Sequence, residues 1–217
     1  MAQSTAKKTG EQPDLYRFEQ EAYRSGFLTV CGVDEAGRGP LAGPVCAGAV
    51  ILRRDERIEG LNDSKKLSKK KREALYEEIT ARAAGWSVAY ATSEEIDRYN
   101  ILQATFLAMR RAVEGLQLPP DLVLVDGNQD PGLSCEHTIT IVHGDALSAS
   151  VAAASILAKV SRDRLMEQLA EQYPQYELQV HKGYPTKRHY ERLREFGASP
   201  IHRRSFLKKF FQDDEPK

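Results

Sequence analysis

Five short runs of apolar and β-branched residues, set between stretches of helical period, constrain the fold of this 217-residue chain more than any other feature. They lie at 28–33 (Leu-Thr-Val-Cys-Gly-Val), 45–52 (Val-Cys-Ala-Gly-Ala-Val-Ile-Leu), 86–91 (Trp-Ser-Val-Ala-Tyr-Ala), 122–125 (Leu-Val-Leu-Val) and 138–142 (Thr-Ile-Thr-Ile-Val). Each has strand length and strand composition. The run at 122–125 is continuously apolar, the pattern of a strand covered on both faces. Between the runs, Leu75, Ile79 and Ala83 mark a helix over 68–84. Thr92 and Glu95 form a capping box for a helix reaching Gly115, and Pro119-Pro120 closes that region. The segment 146–173 reads as one long Ala- and Leu-rich helix whose start carries only small residues, and a further helix falls at 186–196. Strands interleaved with helices predict a single α/β domain over 15–217, with 180–217 as a basic helical extension and 1–14 as a loose polar tail.

Charge matters here by its distribution. Lys plus Arg and Asp plus Glu both number 31, so net charge selects no partner. From His181 to Gln212, however, nine Lys or Arg stand against two acids, a density that fits a surface facing phosphates. A second basic run spans 65–72, and each run also fits a solvated helix face. Cys31, Cys46 and Cys135 are odd in number and lack CxxC spacing, which speaks against a zinc site or a disulfide framework. They read as packing residues in a reducing compartment. The N-terminus has no apolar h-region and no segment reaches the ~20 apolar residues of a membrane span, so a cytoplasmic protein without membrane association is expected.

The first run leads into Gly32-Val33-Asp34-Glu35-Ala36-Gly37-Arg38-Gly39-Pro40, the fourth into Asp126-Gly127, and the fifth towards Gly144-Asp145. Three strand ends thus carry carboxylates, in the region of an open α/β sheet where ligands bind. Carboxylates crowded together raise one another's pKa unless a cation neutralises them. All-oxygen donors suit Mg²⁺ or Mn²⁺ and disfavour Zn²⁺. Successive strand residues point to opposite faces, so Asp34 and Glu35 share an ion only if the backbone turns between them or one approaches from the rim. The glycines beyond make a turn possible. An Asp before Gly at a strand end also makes a turn with no ligand at all, and the residues alone leave both readings open. Gly37-Arg38-Gly39-Pro40-Leu41-Ala42 satisfies a loose G-x-G-x-x-A, but Pro40, Gly43-Pro44 and a following strand stand where a dinucleotide fingerprint needs a helix. Arg38 between two glycines instead suits a loop that sets N–H groups and a guanidinium against a sugar-phosphate chain.

The segments at 32–41, 61–67 (Leu-Asn-Asp-Ser-Lys-Lys-Leu), 125–128 (Val-Asp-Gly-Asn), 150–163 and 181–186 (His-Lys-Gly-Tyr-Pro-Thr) resemble, in order, those of bacterial ribonuclease HII. The resemblance covers about 28–206. It implies a ribonuclease H-like fold, a mixed five-stranded sheet flanked by helices. The implied enzyme is an endonuclease that cuts RNA in RNA–DNA hybrids and incises duplex DNA at single ribonucleotides, leaving 3′-hydroxyl and 5′-phosphate ends. By the same resemblance, Asp34, Glu35, Asp126 and Asp145 match catalytic carboxylates that hold two divalent ions, Mg²⁺ or Mn²⁺. Gly37, Arg38 and Gly39 match the turn that senses the ribose 2′-hydroxyl. Tyr184 matches an aromatic that stacks on the sugar after the ribonucleotide, although a Tyr between Gly and Pro also suits loop packing. Lys65, Lys66 and Lys182 match basic positions near the nucleic acid.

Ser150, Ser155, Lys159 and Asp163 lie at roughly helical spacing and read as groups that support the site. Two features depart from the family pattern. His143 stands where Lys is common before the fourth acidic site, and Arg204 replaces the Gln that would make 207–211 (Leu-Lys-Lys-Phe-Phe) a sliding-clamp peptide. A basic amphipathic tail is therefore the favoured reading of that segment. A monomer is expected. Ribonuclease HIII is the nearest rival enzyme, but it carries an added N-terminal nucleic-acid-binding domain for which the short tail leaves no room. A catalytically silent hybrid-binding module would show loss of a carboxylate, and all four are present.

Overall fold

The computed structural model describes residues 14–213, so the tail expected over 1–14 lies, except for Asp14, outside the described residues. The five runs form β1 (Val30–Ala36), β2 (Val45–Ile51), β3 (Gly85–Ala91), β4 (Leu122–Asp126) and β5 (Thr138–Ile141), in one sheet of order β3-β2-β1-β4-β5. β1, β4 and β5 run parallel, whereas β2 is antiparallel to β1 and to β3. The C-terminal ends of the three parallel strands therefore share one edge of the sheet.

Helices α1 (Arg17–Arg24), α2 (Lys69–Arg82), α3 (Ser93–Tyr99), α4 (Ile101–Glu114) and α5 (Ala149–Gln172) cover the sheet, and α6 (Leu178–His181), α7 (Lys187–Phe196) and α8 (Lys208–Asp213) follow. Strand alternation divides the core. Cys31, Val33, Val123 and Val125 pack with Ala104, Ala108 and Met109 of α4, while Leu122 and Leu124 pack with Ala22 of α1 and Val151 of α5. β4 is thus buried on both faces, as its unbroken apolar run requires. Its leucines and valines each contribute ~1.5–3 kcal/mol by burial, which outweighs the modest propensity differences of so short a strand.

The long helix α5 lies with its backbone against the centre of the sheet. A Cβ on Gly32 would come 2.1 Å from the Ser150 carbonyl carbon, and one on Gly48 would come 2.5 Å from the Ala154 carbonyl oxygen. Only glycine on the strands, with buried Ala149, Ala152, Ala153 and Ala154 on the helix, permits this approach.

Three expectations change. The helix predicted from Thr92 to Gly115 keeps its capping box but breaks at Asn100, which adopts φ 68° and ψ 165° and caps α4 by accepting from the N–H groups of Leu102 (3.0 Å) and Gln103 (3.1 Å). Asn tolerates positive φ, and its carboxamide serves two otherwise orphaned donors, so the local chemistry outcompetes helix continuation. Asn100→Ala should cost ~2 kcal/mol in a urea unfolding experiment, and Asn100→Gly less, because glycine accepts the backbone angles. Helix α1 lies in a stretch to which the sequence reading assigns no element; its Phe18 and Ala22 pack with Leu122 and Leu124. β1 runs to Ala36, three residues beyond its apolar run, because pairing with β2 continues after pairing with β4 has ended.

Candidate active site

That extension of β1 decides how the first two carboxylates are presented. Glu35 pairs with Ala47 and Ala36 with Cys46, so no turn separates Asp34 from Glu35 and alternation holds. Asp34 points to the α5 side, where the Ser155 hydroxyl meets it. Glu35 points to the α4 side and lines a small hollow of about 80 Å³ with Arg38, Asp126, Leu102 and Thr105. Of the two routes open to this acidic pair, the structure takes approach from the rim.

Asp126 ends β4 one residue after Val125, which is level with Val33, and so lies beside Asp34. Its Oδ1 accepts from the Gly144 N–H at 2.7 Å. His143 adopts the left-handed conformation and starts the 3₁₀ turn Gly144–Ala146 that carries Asp145 inward. Asp145 accordingly stands on a turn beyond β5 and not at the strand end expected from the sequence.

The electrostatics reflect crowding. Burial, then the charges of Glu35 and Asp126, push the Asp34 carboxyl well above the usual carboxylate range. Glu35 is raised by burial and by Asp126 against the pull of Arg38, whose Nη1 lies 3.5 Å from Glu35 Oε1. Asp145 is raised by burial, by Asp63 and by Asp126. Burial lowers the Lys65 ammonium, but facing Asp34, Asp145, Asp63 and Glu35 outweigh it and raise its pKa. Asp63 is a fifth carboxylate that sequence reasoning missed. Its legible signal was that of a cap, since its Oδ1 accepts from the Lys65 N–H at 2.9 Å at the start of the turn Ser64–Lys66.

Glycine loop, aromatic and basic residues meet at a second hollow of about 430 Å³, lined by Glu35, Gly37, Arg38, Gly39, Lys65 and Tyr184 among others. Two buried arginines shape it from beneath. Arg203 donates to the carbonyls of Gly37 (2.7 Å), Arg38 (2.9 Å) and Gly43 (2.9 Å). Arg162 donates to those of Pro44 (3.0 Å), Ala42 (3.2 Å) and Lys182 (3.2 Å). Burial, helped by the charge of Arg162, lowers the Arg203 pKa to about 9. With the Gly37 and Arg38 carbonyls fastened inward, the opposite side of the loop is left to a ligand. Neither arginine was singled out from sequence, because a buried arginine without a carboxylate partner has no sequence pattern.

The remaining expected residues divide. Ser155 donates to Ser64 at 2.8 Å beneath Asp34, and Lys159 pairs with Asp163 at 2.8 Å while lying 6.0 Å from the Tyr184 ring centroid. Lys66 is exposed and 3.7 Å from Asp63. Lys182 is held by Glu167 at 2.8 Å, an acid it shares with Lys69. Ser150 sits apart from the carboxylates and hydrogen-bonds buried Glu19. The expected phosphate-facing surface over 181–212 is trimmed as well, since Arg203 is buried and Glu177, just outside that segment, takes both Arg188 and Arg192. A further surface cavity, about 640 Å³ around Trp86 and Leu118, lies at the other end of the sheet.

Among the described residues, no three His, Cys, Asp or Glu side chains are drawn close enough to hold an ion as they stand. One oxygen of Asp34 is turned to its neighbour's N–H at 2.6 Å and one of Asp126 to Gly144. The donor set nevertheless fits a hard cation: it is all oxygen, and Asp34, Glu35 and Asp145 are each raised in part by the charge of a neighbouring carboxylate.

A mixed five-stranded sheet of this order, with carboxylates gathered where its parallel strands end, defines a nuclease of the ribonuclease H-like class. The family model for ribonuclease HII matches residues 31–209. Ribonuclease HII of Dechloromonas aromatica is 61% identical, covering 82% of this chain and 90% of its own. The ribonuclease H2 of Pyrococcus horikoshii OT3 superposes with a TM-score of 0.72 at 32% identity, over 86% of this chain and 100% of that one. The ribonuclease HII solved as a PCNA complex from Archaeoglobus fulgidus gives 0.65 at 28% identity, over 81% and 94%. The chain belongs to the ribonuclease HII family: it is a metal-dependent endoribonuclease acting on the RNA of RNA–DNA hybrids.

Proposed function

We propose that Asp34, Glu35, Asp126 and Asp145 hold two divalent ions, Mg²⁺ or Mn²⁺, and that the enzyme incises duplex DNA on the 5′ side of a single embedded ribonucleotide. The observation that carries this reading is a crowded carboxylate cluster, Asp34 above all, opening beside a hollow walled by Gly37, Gly39, Lys65 and Tyr184. Bound divalent cations would supply activation of the attacking water and charge neutralisation at the leaving 3′-oxygen.

The chain's own residues do the rest. The Gly37-Arg38-Gly39 loop, braced by Arg203, offers backbone groups to the ribose 2′-hydroxyl, the group that separates RNA from DNA. Tyr184, half-exposed above the hollow, stacks on the next sugar, and Lys65 and Lys66 meet phosphates. Lys182, committed to Glu167, contributes through the shape of its turn. Ser155 supports Asp34 from α5, while Lys159 and Asp163, paired with each other, support the site beside Tyr184.

Residues 15–217 act as one domain, working as a monomer; the packing of Leu41 and Met166 with Leu193 and Leu207 supports the single domain. Leu207 is fully buried and Phe210 stacks on Tyr190 at 5.4 Å, which supports a packed basic helix over a presented clamp peptide. No helix among the described residues is long and apolar enough to cross a membrane. A labelled DNA duplex with one ribonucleotide, incubated with Mg²⁺ or Mn²⁺, should be cut once, 5′ of that ribonucleotide. An intact strand with both metals would refute the proposal.

A further inference from the structure

Three buried histidines outside the carboxylate site connect the C-terminal helices to Tyr184. The Ser199 N–H (3.1 Å) and hydroxyl (2.9 Å) both point at His202 Nδ1, so that nitrogen is an acceptor and the His202 proton resides on Nε2. His202 Nε2 faces His189 Nε2 at 3.1 Å, and only one of the two can carry a proton. His202 therefore donates, His189 Nε2 accepts, and the His189 proton is left on Nδ1, which donates to the Tyr184 carbonyl at 3.0 Å. His181 stacks on His189 at 4.3 Å between ring centroids, accepts from the Gly183 N–H at Nδ1 (3.2 Å) and donates from Nε2 to the Tyr176 carbonyl (2.9 Å). One proton order satisfies every ring nitrogen, and it requires all three rings to be neutral. Burial, which pushes His189 and His202 down to about 4, keeps them so.

We propose that His189 and His202 are positioning residues for Tyr184. Their fixed tautomers pin the Tyr184 carbonyl from inside the protein, while Leu41 N–H holds the Gly183 carbonyl (2.8 Å) and Arg162 the Lys182 carbonyl (3.2 Å). The ring is thereby presented to the hollow, with Arg162 Cζ 5.9 Å and Lys159 Nζ 6.0 Å from its centroid. This assignment rests on the reading of Tyr184 as the residue that stacks beyond the ribonucleotide.

The test compares kcat/KM on a duplex with one ribonucleotide against kcat/KM on a uniform RNA–DNA hybrid. His189→Leu should lower the ratio by ~10-fold, and His189→Asn, whose amide replaces the Nδ1 donor, should restore most of it. His189→Leu should add nothing in a Tyr184→Ala background. Equal loss on both substrates, or full additivity with Tyr184→Ala, would overturn the positioning role. A Tyr184→Ala variant with an unchanged ratio would overturn the reading of Tyr184 itself. The proton order is measured separately by long-range ¹⁵N–¹H NMR of the wild-type protein at neutral pH. Protons on His189 Nδ1 and His202 Nε2 are expected, and the reverse order or an imidazolium would overturn the relay.

Discussion

Asp34→Asn should abolish cleavage and, in the absence of metal, make the protein more stable. Asp34 is buried and its carboxyl is raised by that burial and by the charges of Glu35 and Asp126. The folded chain consequently binds this proton more tightly than the unfolded one. Stability falls as pH rises from the unfolded pKa of ~3.9 through the folded value, and the full penalty is present above it. Asparagine removes the charge but keeps an oxygen to accept from the Glu35 N–H. In EDTA at pH 7.5 the variant should melt above wild type, and the gap should close as pH approaches ~4. Its rate of incision with Mn²⁺ should fall by ~10³-fold or more, about 4 kcal/mol of transition-state stabilisation. Hybrid binding should be largely kept, since no phosphate contact is removed. A variant that cleaved normally would exclude Asp34 as a principal ligand, and one that melted lower would contradict the crowding of Asp34 by Glu35 and Asp126.

Gly37→Ala and Gly39→Ala should part company although they are two residues apart in one loop. A Cβ on Gly37 would lie 1.9 Å from Arg162 Nε, and Gly37 has φ +93°. Arg162 cannot withdraw without releasing the carbonyls of Ala42, Pro44 and Lys182. Strain, steric conflict and lost hydrogen bonds together should cost ~3 kcal/mol or more in denaturant unfolding, with activity lost in proportion to misfolding. A Cβ on Gly39 meets nothing nearer than Tyr184 Cε1 at 3.9 Å. Gly39→Ala should stay within ~0.5 kcal/mol of wild type and instead weaken binding of ribonucleotide-containing duplex. Equal destabilisation by both would mean that the loop is not anchored by Arg162 and Arg203.

The legibility of this fold followed from how local each signal was. Val-Cys-Ala-Gly-Ala-Val-Ile in β2 and Leu-Val-Leu-Val in β4 identify themselves by composition, and the Thr92–Glu95 box formed where it was read. Asn100 defeated the same reading because a helix break made by one cap within a continuous periodic pattern looks like helix. In the site, Asp34, Glu35, Asp126 and Asp145 were conspicuous as acids at or near strand ends. Asp63 was not, since its proximity to Asp145 depends on a turn packed under α5.

Residue order by itself determined the alternation of strands and helices, the acid pair ahead of Gly-Arg-Gly, and the resemblance to ribonuclease HII, because periodicity, turn chemistry and motif are properties of neighbours in the chain. Only the tertiary structure decided that Asp34 and Glu35 approach from opposite faces, that Arg203 serves the loop beneath and not a phosphate, and that His202 and His189 share one proton order ending at Tyr184. Those facts join residues up to 166 positions apart. They arise from burial, which removes water as a partner and obliges each polar group to find another within the fold.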